Sequence, residues 1–317
     1  MPPVSPDIDA VRHAAVRIAP WAHCTPVLRS QYFDDQTSAR VVFKCENFQK
    51  AGAFKFRGAA NAVLSLTDDE VRRGVVTHSS GNHAQALALA ARMRGAPATI
   101  VMPLGAAAVK RAAVQGYGAT VIECEATLAA REEAAAAAVA RTGGALVHPY
   151  DDPRIIAGAG TAALELLQES PELDVILAPV GGGGLLSGTA IAAAGVSSRT
   201  RVIGAEPAGA DDAQRSLAAG RIIPSVEPRT VADGLRTSLG EQTFPIIARL
   251  VPEIITVSDE QIMSAMRLTW ERMKIVIEPS SAVPVAALLA NAAQFAGLRV
   301  GIILSGGNVD LGAIRWE

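Results

Sequence analysis

Along the chain, short runs of β-branched and other apolar residues alternate with longer stretches in which small apolar residues recur at helical spacing. The runs at 41–45, 74–77, 98–102, 119–123, 145–148, 174–179, 201–205 and 299–304 predict strands. Stretches such as 84–94 and 126–141 are too long for strands and are rich in alanine, the best helix former, so they and the other gaps predict helices. Strand alternating with helix predicts an α/β protein with mostly parallel sheets. Helix starts agree: Thr67-Asp-Asp-Glu70 and Ser258-Asp-Glu-Gln261 have capping-box spacing, and Asp152 stands before a proline suited to a first helical turn. Four strand–helix units follow one another between 74 and 147, which predicts a small lobe over 74–147 inserted in a large lobe made of 1–73 and 148–317.

With 317 residues, 50% hydrophobic and 19% charged, the chain can bury a large core, and domain sizes favour two lobes. A formal net charge of −2 without a local basic cluster offers no field for nucleic acid or an anionic membrane, so the expected ligand is a small molecule. No apolar run is long enough to span a bilayer, and the N-terminus lacks the pattern of a signal peptide. Cys24, Cys45 and Cys124 are odd in number and widely spaced, which argues against a disulfide framework or structural zinc and for a reduced cytoplasm.

Candidate chemistry begins at Ala51-Gly-Ala-Phe-Lys-Phe-Arg-Gly58. The chain has only five lysines against twenty-four arginines, and a guanidinium cannot lose its proton in a protein. Lys55 between two phenylalanines is therefore a candidate Schiff-base lysine, its ammonium form disfavoured by a low local dielectric. The competing reading is a lysine at a helix start that snorkels to solvent.

Pro179-Val-Gly-Gly-Gly-Gly-Leu-Leu-Ser-Gly188 follows an apolar strand and opens a helix. There Gly181, Gly182, Gly183 and Gly184 bring N–H groups close to an anion such as phosphate. No Gly-Lys-Ser/Thr follows, so it is not a P-loop, and its spacing misses the dinucleotide fingerprint. Gly158-Ala-Gly-Thr-Ala-Ala163 does fit that fingerprint, and a nicotinamide oxidoreductase would use it; its place inside a predicted helix reads instead as helix packing.

Ser79, Ser80, Gly81, Asn82 and His83 lie between a strand and a helix, where they either grip a carboxylate or form a polar capping turn. Ser305-Gly-Gly-Asn308 ends the last strand, a place where α/β ligands collect and also an ordinary strand exit. Glu206, the Ala210 carbonyl and Asp212 offer hard oxygens suited to Mg²⁺ or Ca²⁺, or are solvated loop groups. The five histidines lack metal-ligand spacing and no Gly-x-Ser-x-Gly elbow is present, which argues against a zinc enzyme or hydrolase.

Taken together, the segments 47–59, 78–85, 232–238, 270–274 and 304–311, with the tetraglycine, resemble the fold-type II pyridoxal-phosphate enzymes over nearly the whole chain. The resemblance is greatest to the serine racemase and serine/threonine dehydratase branch, and implies a two-lobed fold like the tryptophan synthase β-subunit. It implies that Lys55 forms the internal aldimine with pyridoxal 5'-phosphate, Phe54 packs against its ring and the four glycines bind its phosphate. Asn82 would contact the phenolic oxygen and Ser305 the pyridine nitrogen. The implied activity is α,β-elimination of L-serine or L-threonine to a 2-keto acid and ammonia. The 79–83 loop would hold the α-carboxylate.

Ser80 resembles the racemases and hydroxyaspartate dehydratases of the branch, where a serine exchanges a proton on the face opposite the lysine. Many threonine dehydratases have alanine there. Serine racemisation is thus expected beside elimination. The same resemblance implies a divalent cation (Mg²⁺, Ca²⁺ or Mn²⁺) on Glu206, Ala210 and Asp212, and a homodimer. Arg131 and Ser238 match positions facing the substrate side chain, which raises 3-hydroxyaspartate as an alternative substrate; Arg131 beside Glu132 and Glu133 also reads as a solvated helix charge. Tyr150-Asp-Asp-Pro153 departs from the animal racemases and looks more like the bacterial dehydratases. Lys50, Gln85, Lys110 and Tyr117 resemble scattered parts of an ATP effector site. The chain ends soon after Asn308, so an isoleucine-regulated extension is not expected.

Overall fold

The computed structural model describes residues 5–105, 108–314 and 316. Among the described residues ten strands form two sheets: β1 (Val27–Arg29), β2 (Arg40–Cys45), β3 (Val75–His78), β4 (Ala98–Pro103), β5 (Thr120–Cys124), β6 (Ala145–Leu146), β7 (Val175–Pro179), β8 (Arg201–Pro207), β9 (Glu253–Val257) and β10 (Arg299–Leu304). The larger sheet has the order β1-β2-β10-β7-β8-β9 and the smaller one β5-β4-β3-β6. Every pairing is parallel except that of β1 with β2. The central strands are buried along nearly their whole length, as expected where helices cover both faces of a parallel sheet.

All eight predicted strands are present, with ends shifted by a few residues. The 145–148 run is shorter than expected, because Pro149 has no N–H to continue the ladder and the His148 ring accepts from the Asp151 N–H at 2.9 Å instead. Two edge strands lie outside the predicted set. β1 is only three residues long and half-buried. β9 stands in a gap assigned to helix, although its β-branched run at 254–257 is a signal for it. The expected caps form: Thr67 and Ser258 make capping boxes, and Asp152 accepts from the Arg154 N–H at 2.8 Å.

The glycines of the false fingerprint serve helix packing. They lie inside the helix Pro153–Glu169, where a Cβ on Gly158 would fall 2.6 Å from the Gly58 Cα and one on Gly160 would fall 2.7 Å from the Gly188 carbonyl oxygen. This corrects any reading of the segment as a dinucleotide turn.

All four strands of the smaller sheet fall between 75 and 146, inside the expected insertion. The core beneath it also takes in Ile18, Phe56, Val63 and Ile155. We propose the division into 1–73 with 148–317 and 74–147 as a statement about the sheets, with the helix Lys55–Leu64 packed against the helices Pro153–Glu169 and Asn82–Arg94. Among the described residues no helix is long and apolar enough to cross a membrane.

Candidate active site

Four loops leave the carboxyl ends of β2, β3, β7 and β10 and meet around a cleft of about 510 Å³, the place where parallel sheets collect ligands. Each carries one of the sequence motifs. After β2, the chain turns into the helix Lys55–Leu64, and Lys55 projects half-buried into the cleft. Its Nζ donates to the Pro149 carbonyl at 2.8 Å and lies 5.1 Å from the Phe54 ring centroid. Burial, opposed by the nearby Glu278 charge, lowers its pKa to about 8. The free amine is therefore a far larger fraction near neutral pH than for an ordinary lysine, though the ammonium form still predominates at pH 7.

After β7, the tetraglycine becomes the start of the helix Gly184–Val196, with Gly183 at φ +89°, a conformation that favours glycine. The glycines are also demanded by the protein around them: a Cβ on Gly182 would sit 2.3 Å from the Tyr150 ring, and one on Gly183 would sit 2.8 Å from Thr243 Cβ. Thr243 holds the turn by donating to the Gly182 carbonyl at 2.9 Å, and Asp151 in turn accepts from the Gln242 and Thr243 N–H groups. The first N–H groups of the helix lack intrahelical acceptors and open on the cleft, so the turn fits a phosphate.

After β3, Ser79, Ser80, Gly81, Asn82 and His83 line the same cleft at the start of the helix Asn82–Arg94. His83 is 2% exposed, and among the described residues neither ring nitrogen has a hydrogen bond of good geometry, the Val147 backbone being the polar group nearest to supplying one. Burial pushes its pKa well below the ordinary value, so the ring is neutral. After β10, Ser305 is buried with its Oγ 3.1 Å from that of Ser281, and its carbonyl accepts from the Phe54 N–H at 2.9 Å. Phe54, Lys55 and Ser305 are thus fixed to one another through the backbone.

The two lateral residues part company. Arg131, in the first turn of the helix Leu128–Thr142, lines the cleft, and its charge helps to hold His78 below its ordinary pKa, after burial. Ser238 is not among the residues lining the cleft; its hydroxyl accepts from the Ser225 N–H at 2.8 Å, while Arg236 and Thr237 face the cleft instead. We keep Ser238 facing substrate as a proposal, its hydroxyl already engaged as an acceptor by the Ser225 N–H.

Three cleft residues stand outside the sequence reading or take another role. Glu278, buried before the helix Pro279–Ala290, accepts from Asn82 Nδ2 and is pushed up to about 7, first by burial. Lys110, matched above to an effector site, pairs with Asp233 at 2.6 Å in the cleft. Tyr150 lies against Gly182 with its phenol pushed up to about 12 by burial. None of the three partnerships has a local sequence signal, because each joins residues far apart in the chain.

At the far end of β8, Glu206 is buried inside the strand rather than after it and accepts from the Ala213 and Gln214 N–H groups, each at 2.9 Å. Asp212 is buried, and among the described residues neither carboxylate oxygen receives a hydrogen bond of good geometry, although the Ser225 hydroxyl lies near enough to oppose the rise that burial causes. Burial raises Glu206 to about 8 and Asp212 to about 6. Among the described residues no group of three or more His, Cys, Asp or Glu side chains is arranged to hold a metal.

Comparison with known proteins agrees with this geometry. The chain is 50% identical over 312 residues to the beta-hydroxyaspartate dehydratase of Paracoccus denitrificans (strain Pd 1222), covering 98% of this chain and 99% of that one. The crystal structure of serine racemase from Dictyostelium discoideum superposes with a TM-score of 0.93 at 47% identity, over 97% of this chain and 100% of that one. The crystal structure of the T.th. threonine deaminase superposes with a TM-score of 0.92 at 46% identity, over 96% and 99%. The family described as Pyridoxal-phosphate dependent enzyme matches residues 18–306, and this chain belongs to it.

Proposed function

We propose that the protein is an ammonia-lyase that eliminates water from L-serine and/or L-threonine, giving a 2-keto acid and ammonia, with serine racemase activity in the same cleft. The observation that carries this reading is the half-buried Lys55 amine, lowered to about 8, in one cleft with the tetraglycine helix start. Bound pyridoxal phosphate supplies an electron sink that acidifies the α-carbon of an amino acid. The chain supplies the rest. Gly181, Gly182, Gly183 and Gly184 present N–H groups to the phosphate, and the 79–83 helix start presents its own to the α-carboxylate. Lys55 removes the α-proton, and the Ser80 hydroxyl exchanges a proton at the same carbon from the other face. Asn82 and Ser305 orient the ring. Ser305, a neutral hydroxyl anchored by Ser281, does not hold a proton on the ring nitrogen as an acid would, which favours elimination over transamination.

A second reading, 3-hydroxyaspartate as substrate, is supported by Arg131 lining the cleft, since a guanidinium suits a second carboxylate. The 50% identical relative named for that activity supports it too. Parallel turnover of L-serine, D-serine, L-threonine and the 3-hydroxyaspartate stereoisomers, read as keto acid formed, tests both readings. No keto acid from any of them would overturn the proposal.

The buried Asp212 carboxylate, without a hydrogen bond of good geometry among the described residues, fits with the buried Glu206 a divalent cation, Mg²⁺ or alternatively Ca²⁺ or Mn²⁺, with the Ala210 carbonyl as a third ligand. It would stabilise the end of β8 rather than take part in bond breaking. Three free cysteines support a reduced cytoplasm, and a homodimer completes the reading. An ATP effector is left out of it, since Lys110 is engaged by Asp233.

A further inference from the structure

We propose that Arg57 is a positioning residue for Lys55: its buried double fork locks the helix that presents the lysine. The proposal rests on the reading that Lys55 carries the cofactor.

Arg57 is 0% exposed and two residues beyond Lys55 on the same helix, so the two side chains leave it in nearly opposite directions, one into the core and one into the cleft. Its guanidinium grips two carboxylates. Nε and Nη2 donate to Glu46 at 2.7 and 2.8 Å, and Nη1 and Nη2 donate to Glu165 at 2.7 Å each. Glu46 follows β2 and Glu165 lies on the helix Pro153–Glu169, so the fork ties the lysine helix to both. Glu165 also binds Lys44 at 2.7 Å, and Lys44, itself 0% exposed, donates to the Thr25 carbonyl at 2.6 Å. Two buried cations thus meet Glu46 and Glu165, with the more exposed Glu169 4.0 Å from the Lys44 Nζ at the edge of the network.

A buried ion network is weak evidence for a gain in stability, since apolar side chains of similar volume commonly do as well. Two planar bidentate pairs do fix orientation. Next to Arg57, Gly58 meets the Ile155 carbonyl so closely that a Cβ would lie 2.9 Å from it, which blocks sliding along the neighbouring helix. The fork resists rotation and the glycine contact resists translation. The charges that act on Lys55 do not include Arg57, so its influence on the lysine is geometric.

The test uses holoenzyme carrying Arg57→Lys, which keeps the charge and loses the fork, or Glu165→Gln, which weakens the partly exposed arm (Glu165 side chain 22% exposed). Cofactor occupancy by absorbance, borohydride labelling of Lys55, kcat and KM for L-serine, and melting temperature are read together. With cofactor bound, we expect kcat to fall about tenfold in Arg57→Lys and about threefold in Glu165→Gln, KM to stay within about twofold, and labelling of Lys55 to slow in parallel with kcat. Wild-type kcat in both variants, or losses that only track occupancy or melting temperature, would overturn the proposal. Should Arg57→Lys fail to fold, the same readings on Glu165→Gln decide. A wild-type enzyme without a reducible bond at Lys55 would overturn both this proposal and the reading beneath it.

Discussion

Asn82 and Glu278 join the two sides of the cleft, the Asn82 Nδ2 donating to Glu278 Oε1 at 2.8 Å and Oε2 at 3.1 Å. The amide comes from the helix after β3 and the carboxyl from the start of the helix Pro279–Ala290. Lys55, Lys110 and Asp233 supply the charges around them.

That carboxyl makes stability depend on pH. Its folded pKa, about 7, lies above the ordinary carboxylate value, so the folded state holds the proton more tightly than the unfolded one. The resulting stabilisation is complete in acid and lost as pH rises through about 7. Glu278→Gln, which cannot ionise, should show a smaller drop in melting temperature than the parent between about pH 4.5 and about pH 7, measured with Mg²⁺ present. Parallel curves for the two proteins would show that Glu278 does not titrate there.

Ser80→Ala separates the two activities assigned to the cleft. Removing one of two proton-exchanging groups should lower D-serine formation from L-serine by about a hundredfold or more while L-serine elimination stays within about threefold. Chiral analysis of the serine pool beside a keto acid assay reads both. Equal losses would remove Ser80 from the racemase role.

Arg131→Gln tests the second carboxylate. Losing a charge-assisted pair should reduce kcat/KM for 3-hydroxyaspartate by about ten- to a hundredfold and leave L-serine nearly unchanged. A uniform effect on both substrates would return Arg131 to the role of a helix surface charge.

Chelation should destabilise the protein more as pH rises. Glu206 and Asp212 have folded pKa values raised to about 8 and about 6, so without a cation their contribution to stability is full in acid and is lost as the pair ionises towards about 8. EDTA should therefore lower the melting temperature more at the alkaline end of that range than in acid, with Mg²⁺ or Mn²⁺ restoring it. Asp212→Asn should abolish the metal response. Indifference to EDTA across the range would count against the site.

Much of this was legible in the sequence where chemistry and chain direction coincide. Lys55, the tetraglycine, the 79–83 loop and Ser305 each follow a strand, so the alternation of elements brings them to one edge before any contact is known. The Gly158 segment was legible for the converse reason, since a capped helix start upstream placed it inside a helix. What escaped depends on tertiary approach. Glu278 meets Asn82 across 196 positions of sequence, and Lys110 meets Asp233 across 123. Matching a position does not say which way the Ser238 hydroxyl turns, and its bond from the Ser225 N–H was not legible either. The edge strands β1 and β9 are paired on one side only, and β1 is just three residues long, so burial leaves a less continuous pattern on them than on β7 or β10.

The most direct test is borohydride reduction of the purified holoenzyme followed by peptide mapping, beside the same treatment of Lys55→Ala. The parent should be yellow, bleach on reduction and carry the pyridoxyl label on Lys55; the variant should form no label and lose all measurable keto acid production. A colourless parent, a label on another lysine, or a variant that turns over hydroxy amino acids at the parental rate would contradict the account.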